Sequence, residues 1–234
     1  MSGISESRVP SPGSQPLPIA VLASGRGSNL AALIEAREAG RLPVDFVLVA
    51  SDKANAPALH NASAHGIPTL ALDPKSFPDR RSFDEALFAR VAASGAQLVV
   101  LAGYMRIIDA AVVADWPGRM INIHPSLLPK YRGLHTHRRA LQARDLEHGA
   151  SVHFVSDELD GGPVIAQVCI DIGPGDTEDS LAARLLSQEH RLLTACVEAI
   201  ATGRVRVSGG RVWFDDAPIT APLRLDAAGR LAPA

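Results

Sequence analysis

A chain of 234 residues, 47% of them hydrophobic, is long enough for one sizeable α/β domain with a packed core. Its net charge of -2 gives no basic field for nucleic acid, and no apolar run approaches the roughly 18 residues that a membrane helix needs. Its two cysteines form neither a disulfide framework nor a metal-ligand pattern, which suits a reducing compartment. We therefore expect a cytoplasmic protein without nucleic-acid or membrane partners.

The sequence divides into three parts. Residues 1–17 are rich in Ser, Pro and Gly and are predicted to form a disordered extension, not a signal peptide. The α/β pattern occupies residues 18–202, which we predict to be the catalytic domain. Residues 203–234 are predicted to form a β-hairpin and a tail that packs loosely on the same domain.

Strands and helices alternate along the main part of the chain. Short apolar runs predict strands at residues 18–23, 46–50, 68–72, 98–101 and 120–123, and helical patterns lie at 30–39, 56–64 and 82–93. Such alternation predicts a doubly wound, mostly parallel, Rossmann-like sheet. Right-handed crossovers would place the carboxyl ends of these strands at one edge, where α/β sheets bind ligands.

The last third of the pattern predicts an antiparallel extension of that sheet. A helix is predicted at residues 138–146, an antiparallel strand pair at 150–155 and 164–172, and a long helix at 178–202. Asp176 precedes the long helix and is predicted to cap it.

A glycine-containing turn follows the first strand and opens a helix. Backbone N–H groups at a helix N-terminus bind anions, and either Ser28 or Asn29 is expected to cap this helix. Leu30 stands where a dinucleotide fingerprint has its third glycine, so a phosphate monoester is favoured over a dinucleotide. A tight turn with no ligand is the alternative.

Asn122 and His124 lie two residues apart at the end of the strand at 120–123, and their side chains are expected to face the same space. An amide N–H and an imidazole aimed at one point can stabilise an oxyanion. Asp160, in a later glycine-containing turn, could pair with His124 and raise its pKa, which would hold the ring protonated. The alternatives are a buried Asn, a His packed under a loop and a solvated turn acid.

Three segments of the chain are together typical of one enzyme family. They are Asn122-Ile123-His124-Pro125-Ser126-Leu127-Leu128-Pro129, Gly133-Leu134-His135-Thr136-His137 and His153-Phe154-Val155-Ser156-Asp157-Glu158-Leu159-Asp160-Gly161-Gly162. In these segments the chain resembles the folate-dependent formyltransferases. The resemblance implies transfer of the formyl group of 10-formyltetrahydrofolate to the amine of N1-(5-phosphoribosyl)glycinamide in purine (IMP) biosynthesis, without a metal. Formylation of methionyl-tRNA and hydrolysis of formyltetrahydrofolate are the alternatives.

The resemblance also implies the site residues. Asn122, His124 and Asp160 would be catalytic. The phosphoribosyl substrate would be held by Gly27, Ser28, Asn29 and Glu189. The residues implied for the folate are Arg80, Met105, Arg106, Ile107, Ile108 and Asn122. An apolar slot at residues 105–108 would take the pterin ring, although the local pattern alone favours core packing. We expect small-molecule partners only, and a monomer or weak homodimer.

Overall fold

The computed structural model describes residues 15–226 and 228–234, so residues 1–14 of the predicted extension lie outside the described residues. The helices are α1 (Ser28–Glu38), α2 (Pro57–Ala64), α3 (Arg80–Ala93), α4 (Ala110–Ala114), α5 (Thr136–Ala143) and α6 (Glu178–Ala201). The strands are β1 (Leu17–Leu22), β2 (Val44–Ser51), β3 (Thr69–Ala71), β4 (Leu98–Leu101), β5 (Met120–His124), β6 (Glu147–Phe154), β7 (Val164–Asp171), β8 (Val205–Ser208), β9 (Arg211–Phe214), β10 (Ala217–Pro218), β11 (Arg224–Leu225) and β12 (Leu231–Ala232). Across these two ranges no helix combines the length and apolarity of a membrane span.

The central sheet has seven strands in the order β3-β2-β1-β4-β5-β6-β7. Strands β1 to β5 run parallel, β6 pairs antiparallel with β5, and β7 pairs antiparallel with β6. This confirms the predicted doubly wound, mostly parallel sheet with its antiparallel extension. The strand order reverses between β1 and β4, and open α/β sheets bind ligands beyond the carboxyl ends of the strands at such a point.

Two apolar layers cover the two faces of this sheet. Along β1, Ile19 and Val21 face the layer packed under α1, α2 and α6, whereas Ala20 and Leu22 face the layer under α3 and α4. Because both faces of the strand are buried, it needs apolar residues at every position. This explains the continuous apolar runs in the sequence.

Helix α6 begins at Glu178, as predicted, but its capping residue is not the one expected. Its N-cap is Thr177, whose Oγ1 accepts a hydrogen bond from the Ser180 N–H at 3.2 Å, while the Ser180 Oγ accepts one from the Thr177 N–H at 3.0 Å. Asp176, which we predicted to cap the helix, instead accepts a hydrogen bond from the Gly173 N–H at 2.7 Å. Reciprocal capping of this kind satisfies two N–H groups at once.

The tail packs more tightly than predicted, because two of its leucines are buried. Leu223 is 0% exposed and Leu231 is 5% exposed. The Leu223 N–H donates to the Ile165 carbonyl at 2.9 Å, and the Gln167 N–H donates to the Leu223 carbonyl at 2.9 Å. The segment is therefore joined to β7 by a parallel bridge between Leu223 and Ala166, and the expectation of a loose tail is wrong.

Replacing Leu223 with alanine is expected to lower the free energy of unfolding by about 2–5 kcal/mol, because the substitution leaves a cavity in the core. Urea unfolding followed by circular dichroism would measure this loss. Leu146, which is 83% exposed, is the matched control, and Leu146→Ala should change the free energy of unfolding by less than about 0.5 kcal/mol. Equal effects of the two substitutions would contradict the packing of the tail.

Candidate active site

The loops that follow β1, β4 and β5 meet at the carboxyl edge of the sheet. The Ser24 Oγ accepts a hydrogen bond from the Met105 N–H at 3.0 Å, and the Ser24 N–H donates to the Gly103 carbonyl at 3.0 Å. These bonds tie the loop after β1 to the loop after β4. Strand β5, which carries Asn122 and His124, lies next to β4 in the sheet.

The turn after β1 leaves the first turn of α1 open to solvent. Gly27 is the N-cap with a φ of 75°, and among the described residues no side chain caps the helix. Ser28 and Asn29 are its first two helical residues, so the expectation that one of them caps it is wrong. A Cβ on Gly27 would lie 2.7 Å from the Ala58 Cβ, so both the left-handed backbone and the close approach to α2 require glycine. The first N–H groups of α1 lack intrahelical acceptors and can bind an anion.

Asn29 and Glu189, which lie far apart in the sequence, are in contact. The Asn29 Nδ2 donates to the Glu189 Oε2 at 3.4 Å and links α1 to α6. Burial raises the pKa of the Glu189 carboxyl above its ordinary 4.5, and the hydrogen bond from Asn29 opposes this rise. The predicted phosphate loop and the predicted ribose-binding acid are therefore neighbours.

The segment after β4 presents two apolar side chains at this edge. Met105 is 63% exposed and Ile107 is 53% exposed. Ile108 is buried in the layer under α3 and α4, so its side chain cannot line the expected slot. The guanidinium of Arg106 lies 4.9 Å from the centre of the Phe83 ring. Of the apolar side chains expected to line the slot, Met105 and Ile107 are therefore exposed and Ile108 is not.

Arg80, the first residue of α3, is held beside this segment. Its Nη2 lies 3.6 Å from the Asp109 Oδ2, and its side chain is about half exposed. The Asp109 N–H in turn donates to the Oδ2 of the buried Asp84 at 2.8 Å. The predicted folate-side arginine is thus paired with a carboxylate and still open to a ligand.

Asp160 stands at the centre of the predicted catalytic group. Its Oδ2 lies 3.4 Å from the His124 Nδ1 and accepts a hydrogen bond from the Gly133 N–H at 2.9 Å. Its Oδ1 accepts a hydrogen bond from the Asn122 Nδ2 at 3.4 Å. The structure thus brings together the amide, the imidazole and the carboxylate from two separate chain segments.

The electrostatics of His124 differ from the expectation. Burial lowers the pKa of His124 below its ordinary 6.5, although the Asp160 charge raises it. Burial therefore outweighs the ion pair, and the direction of the net shift in the His124 pKa is opposite to the rise that we expected from Asp160. The His124 Nε2 lies 3.0 Å from the Tyr131 carbonyl, to which it donates, and Nδ1 faces the Asp160 carboxylate.

Asp160 is ionised despite its burial. Burial raises its pKa, but the hydrogen bonds from His153 and from the Gly133 N–H and the charge of His124 together bring this pKa below the ordinary 3.8. The negative charge of the Asp160 carboxylate can therefore stabilise a proton on the His124 ring.

His153 is a fourth member of this group, and the sequence did not single it out as a site residue. It lies on β6 directly opposite Asn122 in the antiparallel register. Its Nε2 is 3.2 Å from the Asn122 Nδ2 and 3.6 Å from the Asp160 Oδ1. The Asn122 nitrogen that we expected to be free for an oxyanion is therefore engaged with two protein groups. The sequence feature that could have indicated His153 is its position at the start of the segment 153–162, which resembles the formyltransferases.

A loop between β5 and α5 covers the group. The Tyr131 carbonyl and the Gly133 N–H contact His124 and Asp160, respectively. Arg132, which lies between them, forms an ion pair with Glu158 in the turn that carries Asp160. The loop therefore connects the end of β5 to the turn that carries Asp160.

Two further histidines lie in contact behind this loop. The His148 Nε2 is 3.0 Å from the His137 Nδ1, and burial, together with the charge of His137, lowers the pKa of His148 to about 4. Across residues 15–226 and 228–234, no cluster of three or more His, Cys, Asp or Glu side chains has a geometry suited to a metal ion.

This pair predicts a loss of stability in mild acid. Below pH 6.5 the unfolded chain protonates His148 while the folded chain does not, so folding stability falls as the pH drops from about 6.5 to about 4. The loss from this residue is expected to total about 3 kcal/mol. Urea unfolding at several pH values would measure it, and His148→Gln should flatten the slope whereas His60→Gln, at an exposed histidine, should not. Parallel slopes in all three proteins would contradict this assignment.

The fold and the site define a class of enzyme. A doubly wound sheet carries an amide, an imidazole and a carboxylate at its carboxyl edge, between an open helix N-terminus and two exposed apolar side chains. The profile of the family described as formyl transferase matches residues 17–197. The chain belongs to the formyl transferase family and is a formyl-transferring enzyme.

Individual relatives agree with this family. The chain is 46% identical over 197 residues to the phosphoribosylglycinamide formyltransferase of Escherichia coli (strain K12), across 84% of this chain and 93% of that protein. It is 42% identical over 192 residues to the trifunctional purine biosynthetic protein adenosine-3 of Drosophila melanogaster, across 81% of this chain and 14% of that protein. The structure matches that of a phosphoribosylglycinamide formyltransferase from Coxiella burnetii with a TM-score of 0.85 and 43% identity, covering 88% and 97% of the two chains.

Proposed function

We propose that this chain transfers the formyl group of 10-formyltetrahydrofolate to the amine of N1-(5-phosphoribosyl)glycinamide, a reaction of purine biosynthesis. The observation that carries the proposal is the contact of Asp160 with both Asn122 and His124 at the ligand-binding edge of the sheet. Similarity to the Escherichia coli enzyme over 93% of its length supports this acceptor over methionyl-tRNA or water.

The phosphoribosyl substrate binds at the N-terminus of α1. Its phosphate is held by the N–H groups and side chains of Gly27, Ser28 and Asn29, and Glu189 binds its ribose hydroxyls. The uncapped first turn of α1 and the hydrogen bond between Asn29 and Glu189 support this placement. The phosphate and the ribose of the substrate would then bind to Asn29 and Glu189, which are in contact with each other.

The folate lies along the segment after β4. Met105 and Ile107 offer exposed apolar surface, and the backbone of residues 105–108 offers hydrogen-bonding groups to the edge of the pterin ring. Arg80 offers a guanidinium to an acidic part of the folate. The exposure of these two apolar side chains supports this assignment, because exposed apolar surface often marks a binding site.

Formyl transfer forms a bond between the amine nitrogen and the formyl carbon and breaks the bond from that carbon to N10 of the folate. One proton moves from the amine to N10. Attack by the neutral amine creates an oxyanion and an ammonium, and His124 or a water held by Asp160 accepts the ammonium proton. Asp160 stabilises the imidazolium, and the imidazolium stabilises the oxyanion. His124, or a water held by Asp160, then delivers the proton to N10.

An absorbance assay of tetrahydrofolate formation tests this proposal. Turnover is expected with N1-(5-phosphoribosyl)glycinamide as the acceptor and should survive addition of a chelator. Reactions without an acceptor, or with methionyl-tRNA, are expected to show background rates. Rapid hydrolysis without an acceptor, or formylation of the tRNA alone, would refute it.

Cytoplasmic location and a monomer or weak homodimer stay predictions. Analytical ultracentrifugation across a range of protein concentrations would measure the oligomeric state. Cell fractionation would test the location.

A further inference from the structure

We propose that Arg139 is a positioning residue that fixes the Asp160 carboxylate through the single peptide group between Arg132 and Gly133. Arg139 lies on α5 and reaches the loop between β5 and α5 with its guanidinium. The importance of Asp160 for turnover rests on the proposed formyl transfer. The connection from Arg139 to Asp160 rests on contacts within the chain alone.

The peptide group between Arg132 and Gly133 is held at both of its ends. Its oxygen, the carbonyl of Arg132, accepts a hydrogen bond from the Arg139 Nη1 at 2.6 Å. Its N–H, that of Gly133, donates to the Asp160 Oδ2 at 2.9 Å. Because a peptide group is planar and rigid, a contact that fixes its oxygen also constrains the direction of its N–H. The Arg139 guanidinium therefore determines where this N–H meets the Asp160 carboxylate.

The charge of the guanidinium also strengthens the Gly133 N–H as a donor. A charged donor on the carbonyl oxygen polarises the peptide group, and consecutive hydrogen bonds shielded from water strengthen one another. The Asp160 side chain is only 8% exposed. Burial raises the pKa of its carboxyl, and the bond from the Gly133 N–H is one of the contacts that bring this pKa below the ordinary 3.8. Arg139 therefore favours the ionised form of Asp160 through one peptide group.

The loop needs such support because its backbone conformation is unfavourable. Tyr131 has a φ of 57°, in the left-handed region that residues with a Cβ rarely adopt, and such a conformation persists only when its surroundings hold it. The Arg139 guanidinium lies 5.2 Å from the centre of the Tyr131 ring, and its Nη1 also lies 3.4 Å from the Leu134 carbonyl oxygen. One side chain therefore contacts the loop on both sides of the peptide group that meets Asp160.

The neighbouring arginine on the same helix provides a matched control. The Arg138 Nε donates to the Glu178 Oε2 on α6 at 3.0 Å, and both side chains are exposed. Arg138 thus has the same charge and the same helix as Arg139 but a different partner. Methionine is a suitable replacement for either arginine, because it is unbranched, uncharged and a good helix former.

The amide proton of Gly133 tests the contact without any assay of activity. We expect Arg139→Met to move this proton upfield in ¹H–¹⁵N spectra and to speed its exchange with solvent about 10-fold, because its bond to Asp160 weakens. The Arg138→Met variant should leave both the shift and the exchange rate as they are in the wild-type chain. An unchanged Gly133 amide in Arg139→Met would overturn the proposal.

Steady-state kinetics test the consequence for turnover. Arg139→Met is expected to lower kcat by about 5- to 20-fold with KM for both substrates nearly unchanged, because Asp160 is misplaced while the groups that bind the substrates remain. Arg139→Lys, which keeps a charged donor for the Arg132 carbonyl, is expected to recover most of the loss. Equal losses in these two variants, or an equal loss in Arg138→Met, would contradict the positioning role.

A double-mutant cycle distinguishes positioning from a general structural role. In an Asp160→Ala background, Arg139→Met should change kcat by less than about twofold, because the residue through which Arg139 acts is gone. The full single-variant loss in that background would overturn the proposal. Thermal unfolding reports whether each variant folds, and Arg139→Lys carries the same cycle if Arg139→Met does not.

The proposed function and this inference can fail separately. A wild-type chain that does not formylate N1-(5-phosphoribosyl)glycinamide would refute the proposed function. An active wild-type chain whose Gly133 amide does not respond to Arg139→Met would refute only the role of Arg139.

Discussion

Replacing either Asn122 or His124 with alanine is expected to lower kcat by about 100- to 1000-fold. His124 is the only imidazole that combines a ring nitrogen facing Asp160 with a place at the end of β5, within the described residues. Asn122 supplies the amide that faces the reacting groups from the same strand. Each substitution removes one preorganised polar contact from a group whose imidazole and carboxylate are buried, where such contacts have a large effect on the transition state.

The two losses should not multiply. Both side chains act on the same few atoms of the reacting centre, so the double variant is expected to lose less than the product of the single losses. Steady-state kinetics of tetrahydrofolate formation would measure all three variants, with His60→Ala at an exposed position as the control. Wild-type rates in either single variant would remove that residue from the mechanism.

Replacing Asp160 with asparagine is expected to lower kcat by about 100-fold and to move the acid limb of the pH–rate profile to lower pH. Asp160 is the group that raises the pKa of His124 against the effect of burial. Without its charge, the pKa of His124 falls further below 6.5, so the ring stays neutral to lower pH. The rate falls because the imidazolium that forms during the reaction has lost its compensating charge.

A pH–rate profile of the Asp160→Asn variant measures both effects together. The matched control is Asp157→Asn, which removes a carboxylate from an exposed position in the same turn region. We expect the control to keep the wild-type profile. An unchanged profile in Asp160→Asn would show that this carboxylate does not act on His124.

Much of this protein was determined by local features of its sequence. Apolar runs that alternate with helical patterns predicted the parallel sheet, because strands buried on both faces need apolar residues throughout. The period of a strand predicted that Asn122 and His124 would face the same space, and the two do meet Asp160. These predictions succeeded because each depends on residues that are close together in the chain or on a motif of fixed spacing.

Only the tertiary structure decided the features that depend on distant contacts. Asn122 and His153 are 31 residues apart, and only the register of β5 against β6 makes them partners. The direction of the His124 pKa shift follows from the balance of burial and one charge, and the burial of Ile108 and Leu223 follows from which layer each one meets. A sequence specifies which groups a chain carries, whereas their pKa, exposure and hydrogen-bond partners are set by the neighbours that packing brings to them.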